Sequence, residues 1–315
     1  MAITGLAADP SVRLHDGGRG HPEQPARFTV IYNQLKSSGL IEQLAPLQTR
    51  AASDDELALV HTRDYIALVN GESAAGRGQL STGDTPINAH SEKAARLAAG
   101  CALAAVDAVF SNAVENAFCA VRPPGHHAGS SRGMGFCIFN SVAVAARHAQ
   151  RRHLAERVLI VDWDVHHGNG TQDIFYEDGS VLYFSTHQSP WYPGTGGVAE
   201  TGEGAGAGKT INAPLPAGTG SAKMFEAFRE RLLPAVEQFH PDLVMLSTGF
   251  DSRAGDPLGQ FLLQDHDFRV LTEMMTELAG RHCGGRLVSV LEGGYNLEGL
   301  ALATETHVRA LLGKS

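Results

Sequence analysis

The feature that most constrains the fold of this chain is a series of short, uninterrupted apolar runs separated by amphipathic segments. Such runs are typical of strands that are buried on both faces of a parallel sheet. The intervening segments carry apolar residues three and four positions apart, which is the spacing of one face of a helix. This alternation predicts a three-layer α/β fold with a doubly wound, mostly parallel sheet.

The predicted elements cover most of the chain. The runs that predict strands are residues 117–121, 157–161, 181–185, 243–247 and 287–291. The segments that predict helices are residues 25–38, 54–60, 92–110, 140–153, 221–239, 265–282 and 296–312. The glycine-rich stretch 194–208 is predicted to be a long loop, because strand and helix patterns alternate on both sides of it. We therefore expect residues 1–315 to form a single domain.

Composition supports a sizeable core and argues against some classes of partner. Of 315 residues, 43% are hydrophobic and 19% are charged, which is too apolar for a disordered chain. The formal net charge of −9 argues against direct binding of nucleic acid, which requires a basic face. No signal-peptide pattern is visible, and no apolar run reaches the ~20 residues of a membrane span. The four cysteines form no C-x-x-C pair and fit reduced thiols, so we expect a soluble, cytoplasmic protein without a membrane partner.

A polar cluster, in most cases glycine-containing, follows each of the predicted strands. These clusters are RPPGHHA (122–128), DWDVHHGNG (162–170), STH (185–187), TGFDSRAGDP (248–257) and EGGYN (292–296). Because parallel strands end at the same edge of a sheet, the clusters are expected to meet there. Polar residues scattered over a surface would not coincide in this way, so the pattern predicts one composite active site.

Within these clusters, Asp164, His166 and Asp251 form a candidate metal site. An Asp-x-His pair just beyond a strand places a carboxylate and an imidazole on the same side of an extended segment, and Asp251 offers a second carboxylate. This donor set, with positions left open, is typical of a catalytic divalent metal, with zinc favoured by the imidazole. An isolated Asp-x-His pair would more simply be a hydrogen-bonded loop pair; its place among the other clusters favours the metal site.

The His126–His127 doublet and Tyr295 are candidates for the chemistry itself. Two adjacent imidazoles can supply a general base and a second group that stabilises or donates charge. The phenol of Tyr295 can donate a hydrogen bond to a developing oxyanion. The alternatives are exposed loop histidines and a tyrosine that only packs or caps.

The motifs RPPGHHA, VDWDVHHGNGTQ, GFDSRAGDPLG and LEGGYN, in this order, resemble the zinc-dependent histone deacetylase family. The similarity is to its class II-like branch, which includes bacterial deacetylases and acetylpolyamine amidohydrolases. It extends from HPEQPARF near residue 21 to LEGGYNL near residue 297, which is nearly the whole chain. The resemblance implies an α/β fold of the arginase–deacetylase type and the hydrolysis of an acyl amide to acetate and a free amine.

The resemblance also implies roles for individual residues. Asp164, His166 and Asp251 are implied to bind one zinc ion. His127 is implied to be the general base and later the general acid, and Tyr295 to donate to the scissile carbonyl. His126 is implied to be the electrostatic partner of His127. Asp162 is implied to orient His126, and Asn169 to orient His127. A structural potassium ion is implied near Asp162, Asp164, His166 and Ser185. Substrate contacts are implied for the acyl-lysine tunnel at Gly135, Phe136 and Tyr192, and for the acetate channel at Arg27.

Three alternatives are weighed against an acyl-lysine deacetylase. A two-metal hydrolase needs further carboxylates, but their places are occupied by Gly168 and Arg253. A catalytically inactive acyl-lysine-binding module is expected to lack Tyr295, His127 or a ligand, and all are present. An acetylpolyamine deacetylase is expected to carry an acidic residue where this chain has Leu258, at the tunnel entrance. We therefore expect acyl-lysine peptides or small amides with neutral tails as substrates, and inhibition by hydroxamates.

Overall fold

The computed structural model of the chain describes residues 3–314 and contains a parallel sheet flanked by helices. Within these residues the sheet has eight strands, and every pair of hydrogen-bonded neighbours is parallel. The strands are β1 (Thr4–Ala7), β2 (Ala45–Pro46), β3 (Asn116–Cys119), β4 (Val158–Asp162), β5 (Val181–Gln188), β6 (Thr210–Leu215), β7 (Leu243–Thr248) and β8 (Leu287–Leu291). Their order across the sheet is β2-β1-β3-β8-β7-β4-β5-β6, which confirms the predicted doubly wound α/β fold.

Ten α-helices are found within the described residues. They are α1 (Ala26–Ser37), α2 (Asp54–Leu57), α3 (Arg63–Ala74), α4 (Ser91–Phe110), α5 (Ser141–His153), α6 (Asn169–Phe175), α7 (Ser221–Ala227), α8 (Leu233–Phe239), α9 (Asp265–Cys283) and α10 (Leu297–Leu311). Two groups of packed helices contact the sheet. One consists of α4 and α5, and the other consists of α1, α9 and α10. No helix in the described part of the chain combines the length and the apolarity needed to cross a membrane.

All five predicted strands are present, and the differences from the prediction lie in shorter or more polar elements. Strands β1, β2 and β6 were missed because their sequences, TGLA, AP and TINAPL, contain no long apolar run. Helix α6 was missed because it begins within the glycine-containing HHGNG motif, and α3 was also missed. The predicted helix 54–60 ends at Leu57, and the predicted helix 221–239 is interrupted by a π-helical turn at Phe228–Leu232.

The sheet places the polar clusters at one edge. Strand β4 lies between β7 and β5, and its last residue, Asp162, is in register with Ser247 of β7 and Ser185 of β5. All residues of β4, β7 and β8 are buried, so the strands can tolerate few polar side chains along their length. We call the edge at which the strands end the carboxyl edge, and the opposite edge the amino edge.

Candidate active site

Segments that follow four buried strands meet at the carboxyl edge, as predicted from the sequence. The segments after β3, β4, β7 and β8 bring together His126, His127, Asp164, His166, Asp251 and Tyr295. A cavity of about 250 Å³ opens above them. Its walls are formed by Asp84, His127, Gly135, Phe136, His166, Trp191, Tyr192, Leu258 and Tyr295.

Asp164, His166 and Asp251 form a compact cluster of potential metal ligands. Each offers one ligand atom, and these atoms lie within 4.8 Å of one another. Nδ1 of His166 is 3.0 Å from Oδ1 of Asp164 and 3.3 Å from Oδ2 of Asp251. All three residues are buried. Two carboxylates and one imidazole are the donor set of a catalytic divalent-metal site.

The hydrogen bonds of this cluster leave one oxygen available to a cation. The backbone amide of Gly293 donates to Oδ2 of Asp164, and that of Val165 donates to Oδ1 of Asp251, both at 2.8 Å. Oδ2 of Asp251 is buried without a hydrogen-bond partner, because one Nδ1 proton of His166 cannot serve both carboxylates. A buried carboxylate oxygen without a donor is costly, so a bound cation fits this place.

Two glycines provide the space for the cluster. A Cβ atom at Gly293 would collide with Oδ2 of Asp251, and one at Gly249 would collide with Oδ2 of Asp164. Both glycines follow strands, in the sequences TGF and EGG. Any larger residue at either position would push a carboxylate out of the cluster.

His126 is held in its charged form by carboxylates. Its Nδ1 donates to Oδ2 of Asp162 at 3.0 Å, and its Nε2 is 3.9 Å from Oδ1 of Asp164. Burial disfavours the charged ring, but the carboxylates of Asp164 and Asp162 outweigh burial and raise the pKa of His126 to about 10. Asp162 is fixed in turn by the backbone amide of Asp164 and the hydroxyl of Tyr183, each at 3.1 Å.

His127 has the opposite electrostatic character. Its Nδ1 donates to the side-chain oxygen of Asn169 at 2.8 Å, which leaves Nε2 as an acceptor. Its ring centroid lies 4.0 Å from that of His126. Burial, together with the charges of His126 and His166, holds the pKa of His127 well below its usual value. The pair therefore consists of one charged and one neutral imidazole, and the neutral one lines the cavity.

Tyr295 is positioned through its backbone. Its amide donates to Oδ2 of Asp256 at 2.7 Å, and Nε of Arg27 donates to the carbonyl of Gly294 at 2.7 Å. The guanidinium carbon of Arg27 lies 4.9 Å from the centroid of the Tyr295 ring. Burial raises the pKa of the Tyr295 hydroxyl well above its usual value, so the hydroxyl keeps its proton and can donate.

The four predicted tunnel residues, Gly135, Phe136, Tyr192 and Leu258, all line the cavity. The ring of Phe136 meets that of Tyr295 edge-on, with centroids 5.8 Å apart. Gly135 has a φ angle of +56°, and a Cβ atom there would collide with the ring of a neighbouring histidine. The wall of the cavity is therefore aromatic and closely packed.

Asp84 and Trp191 also line the cavity, and the sequence analysis did not identify them. The hydroxyl of Tyr192 donates to Oδ2 of Asp84 at 3.1 Å, and the indole of Trp191 donates to the carbonyl of Leu258 at 2.8 Å. These contacts join three separate loops at the cavity entrance. Asp84 follows no buried strand, and Trp191, although it comes shortly after the buried strand β5, belongs to no recognised motif, so the sequence patterns did not mark either residue.

Glu292 is a further residue to which the sequence analysis assigned no role. Its Oε2 accepts hydrogen bonds from the backbone amides of Gly125 at 2.6 Å and His126 at 3.1 Å, and its Oε1 accepts one from Ser247 at 3.0 Å. Burial raises the pKa of Glu292 to about 7. The carboxylate ties the histidine loop to the ends of β7 and β8. The sequence did contain a signal for Glu292, because this residue, like Asp162, comes at the end of a buried apolar run.

Ser185, the remaining predicted site residue, lies on β5 in register with Asp162. Its hydroxyl forms a hydrogen bond with Nδ1 of His187 at 2.9 Å. The residues that the resemblance associates with a monovalent cation therefore lie on two adjacent strands and the segment after β4.

Known proteins share this architecture over almost the whole chain. Residues 21–311 match the histone deacetylase domain. A histone deacetylase-like amidohydrolase of Pseudomonas aeruginosa is 44% identical over 278 residues, covering 88% of this chain and 73% of that protein. A probable deacetylase of Archaeoglobus fulgidus is 39% identical over 299 residues, covering 94% of this chain and 82% of that protein.

Two further similarities extend this result. The human protein named polyamine deacetylase HDAC10 is 42% identical over 302 residues, covering 92% of this chain and 44% of that protein. The crystal structure of the HDA15 HD domain superposes with a TM-score of 0.94 at 39% identity, covering all of this chain and 89% of that one. The predicted arginase–deacetylase type of fold is thus confirmed, and the chain belongs to the histone deacetylase family.

Proposed function

We propose that this chain is a zinc-dependent hydrolase that removes the acyl group from acyl-lysine in peptides or proteins, giving acetate and a free amine. The observation that carries the proposal is the convergence of a metal-type cluster, a neutral histidine and a protonated tyrosine on one narrow cavity. Residues 1–315 are proposed to act as one catalytic domain, which is supported by a single sheet that runs from Thr4 to Leu291 in the chain.

Asp164, His166 and Asp251 would hold the zinc ion. The unpartnered oxygen of Asp251 supports this choice, as does the imidazole among the ligands. When bound, a zinc ion polarises a carbonyl oxygen and makes a water molecule more acidic. A structural potassium ion beside Asp162, Asp164, His166 and Ser185 is also part of the proposal, supported by the fully buried carboxylates of Asp162 and Asp164.

His127 is proposed to move the proton of the reaction. Because Asn169 accepts from Nδ1, Nε2 of His127 is free to take a proton from the attacking water and later to give it to the leaving amine. The low pKa of His127 keeps the ring neutral before the reaction. His126 remains charged beside Asp162 and stabilises negative charge that develops nearby.

Tyr295 is proposed to donate a hydrogen bond to the carbonyl oxygen as it becomes negative. A donor that is already in place costs no reorganisation during the reaction, and the backbone contacts to Asp256 and Arg27 supply that placement. Arg27, a fully buried cation beside the Tyr295 ring, is proposed to attract the product acetate towards an internal exit.

The cavity wall is proposed to hold the lysine methylene groups between Phe136 and Tyr192, with Gly135 allowing close approach to His127. Leu258 at the entrance offers no charge to a second ammonium group, which favours acyl-lysine over acetylpolyamines. Acetylpolyamines remain the second candidate, because the exposed carboxylate of Asp84 also lines the entrance and a relative is named a polyamine deacetylase.

A rate comparison on one zinc-quantified preparation tests the proposal. The substrates are an acetyl-lysine peptide, a longer-acyl-lysine peptide and acetylated polyamines, with a hydroxamate as inhibitor. We expect the highest kcat/KM on an acyl-lysine peptide and loss of turnover with the hydroxamate, because it chelates the ion and donates to Nε2 of His127, the neutral member of the histidine pair. Faster turnover of acetylpolyamines would favour the second candidate, and bound zinc without any turnover would indicate an inactive binding module.

A cytoplasmic location is proposed as well. In the described part of the chain, Cys101, Cys119, Cys137 and Cys283 are buried free thiols. Free thiols persist in a reducing compartment.

A further inference from the structure

A second cluster of metal-binding side chains lies at the opposite edge of the sheet. Asp107 is in the last turn of α4, His153 is the last residue of α5, and His148 lies five residues earlier on α5. A helix that connects two parallel strands runs back to the edge at which the next strand begins. Helices α4 and α5 precede β3 and β4, so both end at the amino edge, away from the catalytic residues.

Both imidazoles of this cluster are directed at the same carboxylate oxygen. Nε2 of His148 lies 2.8 Å from Oδ1 of Asp107, and Nε2 of His153 lies 2.7 Å from the same atom. The three atoms fall within 4.8 Å of one another. Two imidazole nitrogens and one carboxylate oxygen that converge in this way form a common donor set for divalent transition metals.

The surrounding structure packs around both imidazoles and leaves the carboxylate of Asp107 accessible. The ring of His153 stacks on Phe110, with centroids 4.7 Å apart and an angle of 6° between planes. The side chain of His148 is 10% exposed, whereas that of Asp107 is 46% exposed. A metal ion could therefore enter from solvent and keep water as a further ligand.

The separations between the three ligand atoms are close to those that a zinc ion requires. Zinc binds nitrogen and oxygen ligands at about 2.0–2.2 Å, so tetrahedral ligand atoms lie about 3.3 Å apart. The two observed separations from Oδ1 of Asp107, 2.8 and 2.7 Å, would each have to increase by about half an ångström. A rotation of the exposed Asp107 side chain is sufficient for a change of this size.

The charges nearby restrict the kind of ion. Arg151 and Arg152 lie in the last turn of α5, and the guanidinium carbon of Arg286 lies 5.2 Å from the centroid of the Phe110 ring. These cations oppose a bound metal ion, whereas the C-terminal ends of α4 and α5 favour one. Calcium and magnesium prefer sites composed of oxygen ligands. Binding must therefore come mainly from metal–imidazole bonds, which selects ions such as zinc, nickel or copper.

We propose that Asp107, His148 and His153 bind one divalent transition-metal ion, such as Zn²⁺, which joins the C-terminal ends of α4 and α5. This site is separate from the catalytic cluster, and its occupancy does not depend on the proposed hydrolase activity.

The test measures zinc per chain by mass spectrometry after dialysis of the 315-residue chain against buffered, low-micromolar free zinc. The variant His153→Phe removes the ligand nitrogen and keeps a ring to stack on Phe110, and Asp107→Asn removes the charged ligand with little change in shape. We expect two zinc ions in the unmodified protein and one in each variant. The control His266→Ala, which removes an exposed histidine paired with the single carboxylate Asp267, should retain two.

Asp251→Ala separates this site from the catalytic one. We expect one zinc ion in Asp251→Ala and none in Asp251→Ala/His153→Phe. Added zinc should raise the thermal unfolding midpoint of the former and leave that of the latter unchanged. Equal zinc content in the unmodified protein, His153→Phe and Asp107→Asn would overturn the amino-edge site, whereas two zinc ions in Asp251→Ala would instead contradict the catalytic ligand set.

Discussion

The floor and the rim of the catalytic cavity differ in how the chain builds them. The floor consists of buried residues from segments that follow strands, namely His126, His127, Asp164, His166, Asp251 and Tyr295. The rim consists of residues on separate loops, namely Asp84, Trp191, Tyr192 and Leu258. Floor residues are at most 8% exposed, whereas Trp191 and Tyr192 are 38% and 37% exposed. The floor is thus fixed by the sheet and its backbone amides, and the rim by a few contacts between loops.

This difference assigns separate functions to the two regions. Buried charges held by backbone donors interact in a low effective dielectric. Removing one partner of such a charge is strongly destabilising, because the other is left buried without compensation. Exposed pairs at the rim are screened by water and contribute little each. Floor substitutions are therefore expected to affect metal content and kcat, and rim substitutions to affect the choice of substrate.

The largest effect is expected for Asp251→Ala at the floor. The substitution removes the unpartnered carboxylate oxygen of a proposed zinc ligand and leaves the amide of Val165 without its acceptor. Zinc at the catalytic site and activity should be lost together, with kcat/KM reduced by about a thousandfold or more. Metal analysis and steady-state kinetics on the same preparation test this.

Asp251→Asn is the matched control, because it retains an acceptor for Val165 but not the negative ligand. It should fold with unmodified stability and bind zinc weakly. Tightly bound catalytic zinc in both variants would show that Asp251 is not a ligand.

A pair of tyrosine variants compares floor and rim directly. Tyr295→Phe removes the hydroxyl proposed to donate to the carbonyl oxygen and should lower kcat by about a hundredfold, with zinc content and KM little changed. Tyr192→Phe removes a hydrogen bond to Asp84 at the rim and should change kcat/KM by less than about threefold. Equal losses in the two variants would contradict the division between floor and rim.

The next largest effect is expected in the pH dependence of kcat/KM when Asn169, the hydrogen-bond acceptor of His127, is replaced. His127, the proposed base, works only when it is neutral, and its pKa is held well below 6.5, so the acid limb of the kcat/KM profile should lie below pH 6.5. In Asn169→Asp, a carboxylate favours the charged ring and should raise the pKa of His127, which moves the acid limb to higher pH. At a fixed pH on the acid limb, activity should fall about tenfold for each pH unit by which the limb moves.

Asn169→Ala provides the control, because it removes the acceptor without adding charge. Its rate should fall without an upward movement of the acid limb. A profile of Asn169→Asp that coincides with that of the unmodified protein would assign the acid limb to a group other than His127.

The floor could be predicted from the sequence because its residues are tied to buried strands. An apolar run such as that of β4 fixes where the strand ends, and Asp162, Asp164 and His166 follow at fixed distances along the chain. The same reasoning applies to Glu292 after β8, but no role was assigned to it because its contacts are to two backbone amides and to the hydroxyl of Ser247 on a different strand. Such partners cannot be derived from the side-chain pattern of a sequence.

The rim and the amino edge could not be predicted in this way. Asp84 meets Tyr192, and Trp191 meets Leu258, only because three irregular loops fold over the sheet. No periodicity specifies the path of such loops. At the amino edge, Asp107 belongs to a helix that the sequence predicted, yet its contact with His148 and His153 depends on how α4 and α5 pack. Contacts between separate elements require the tertiary structure.

The smallest effect is expected at Leu258 on the rim. Leu258→Glu adds a carboxylate at the cavity entrance, and a partly exposed ion pair with a second ammonium group is worth up to about 1 kcal/mol. The ratio of kcat/KM for an acetylpolyamine over an acetyl-lysine peptide should therefore rise by about fivefold in dilute buffer and less at high salt. Leu258→Gln, which adds polarity without charge, should leave the ratio unchanged. If glutamine and glutamate gave the same ratio at every salt concentration, Leu258 would not face the distal amine, and Asp84 would be the rim residue that sets selectivity for charged tails.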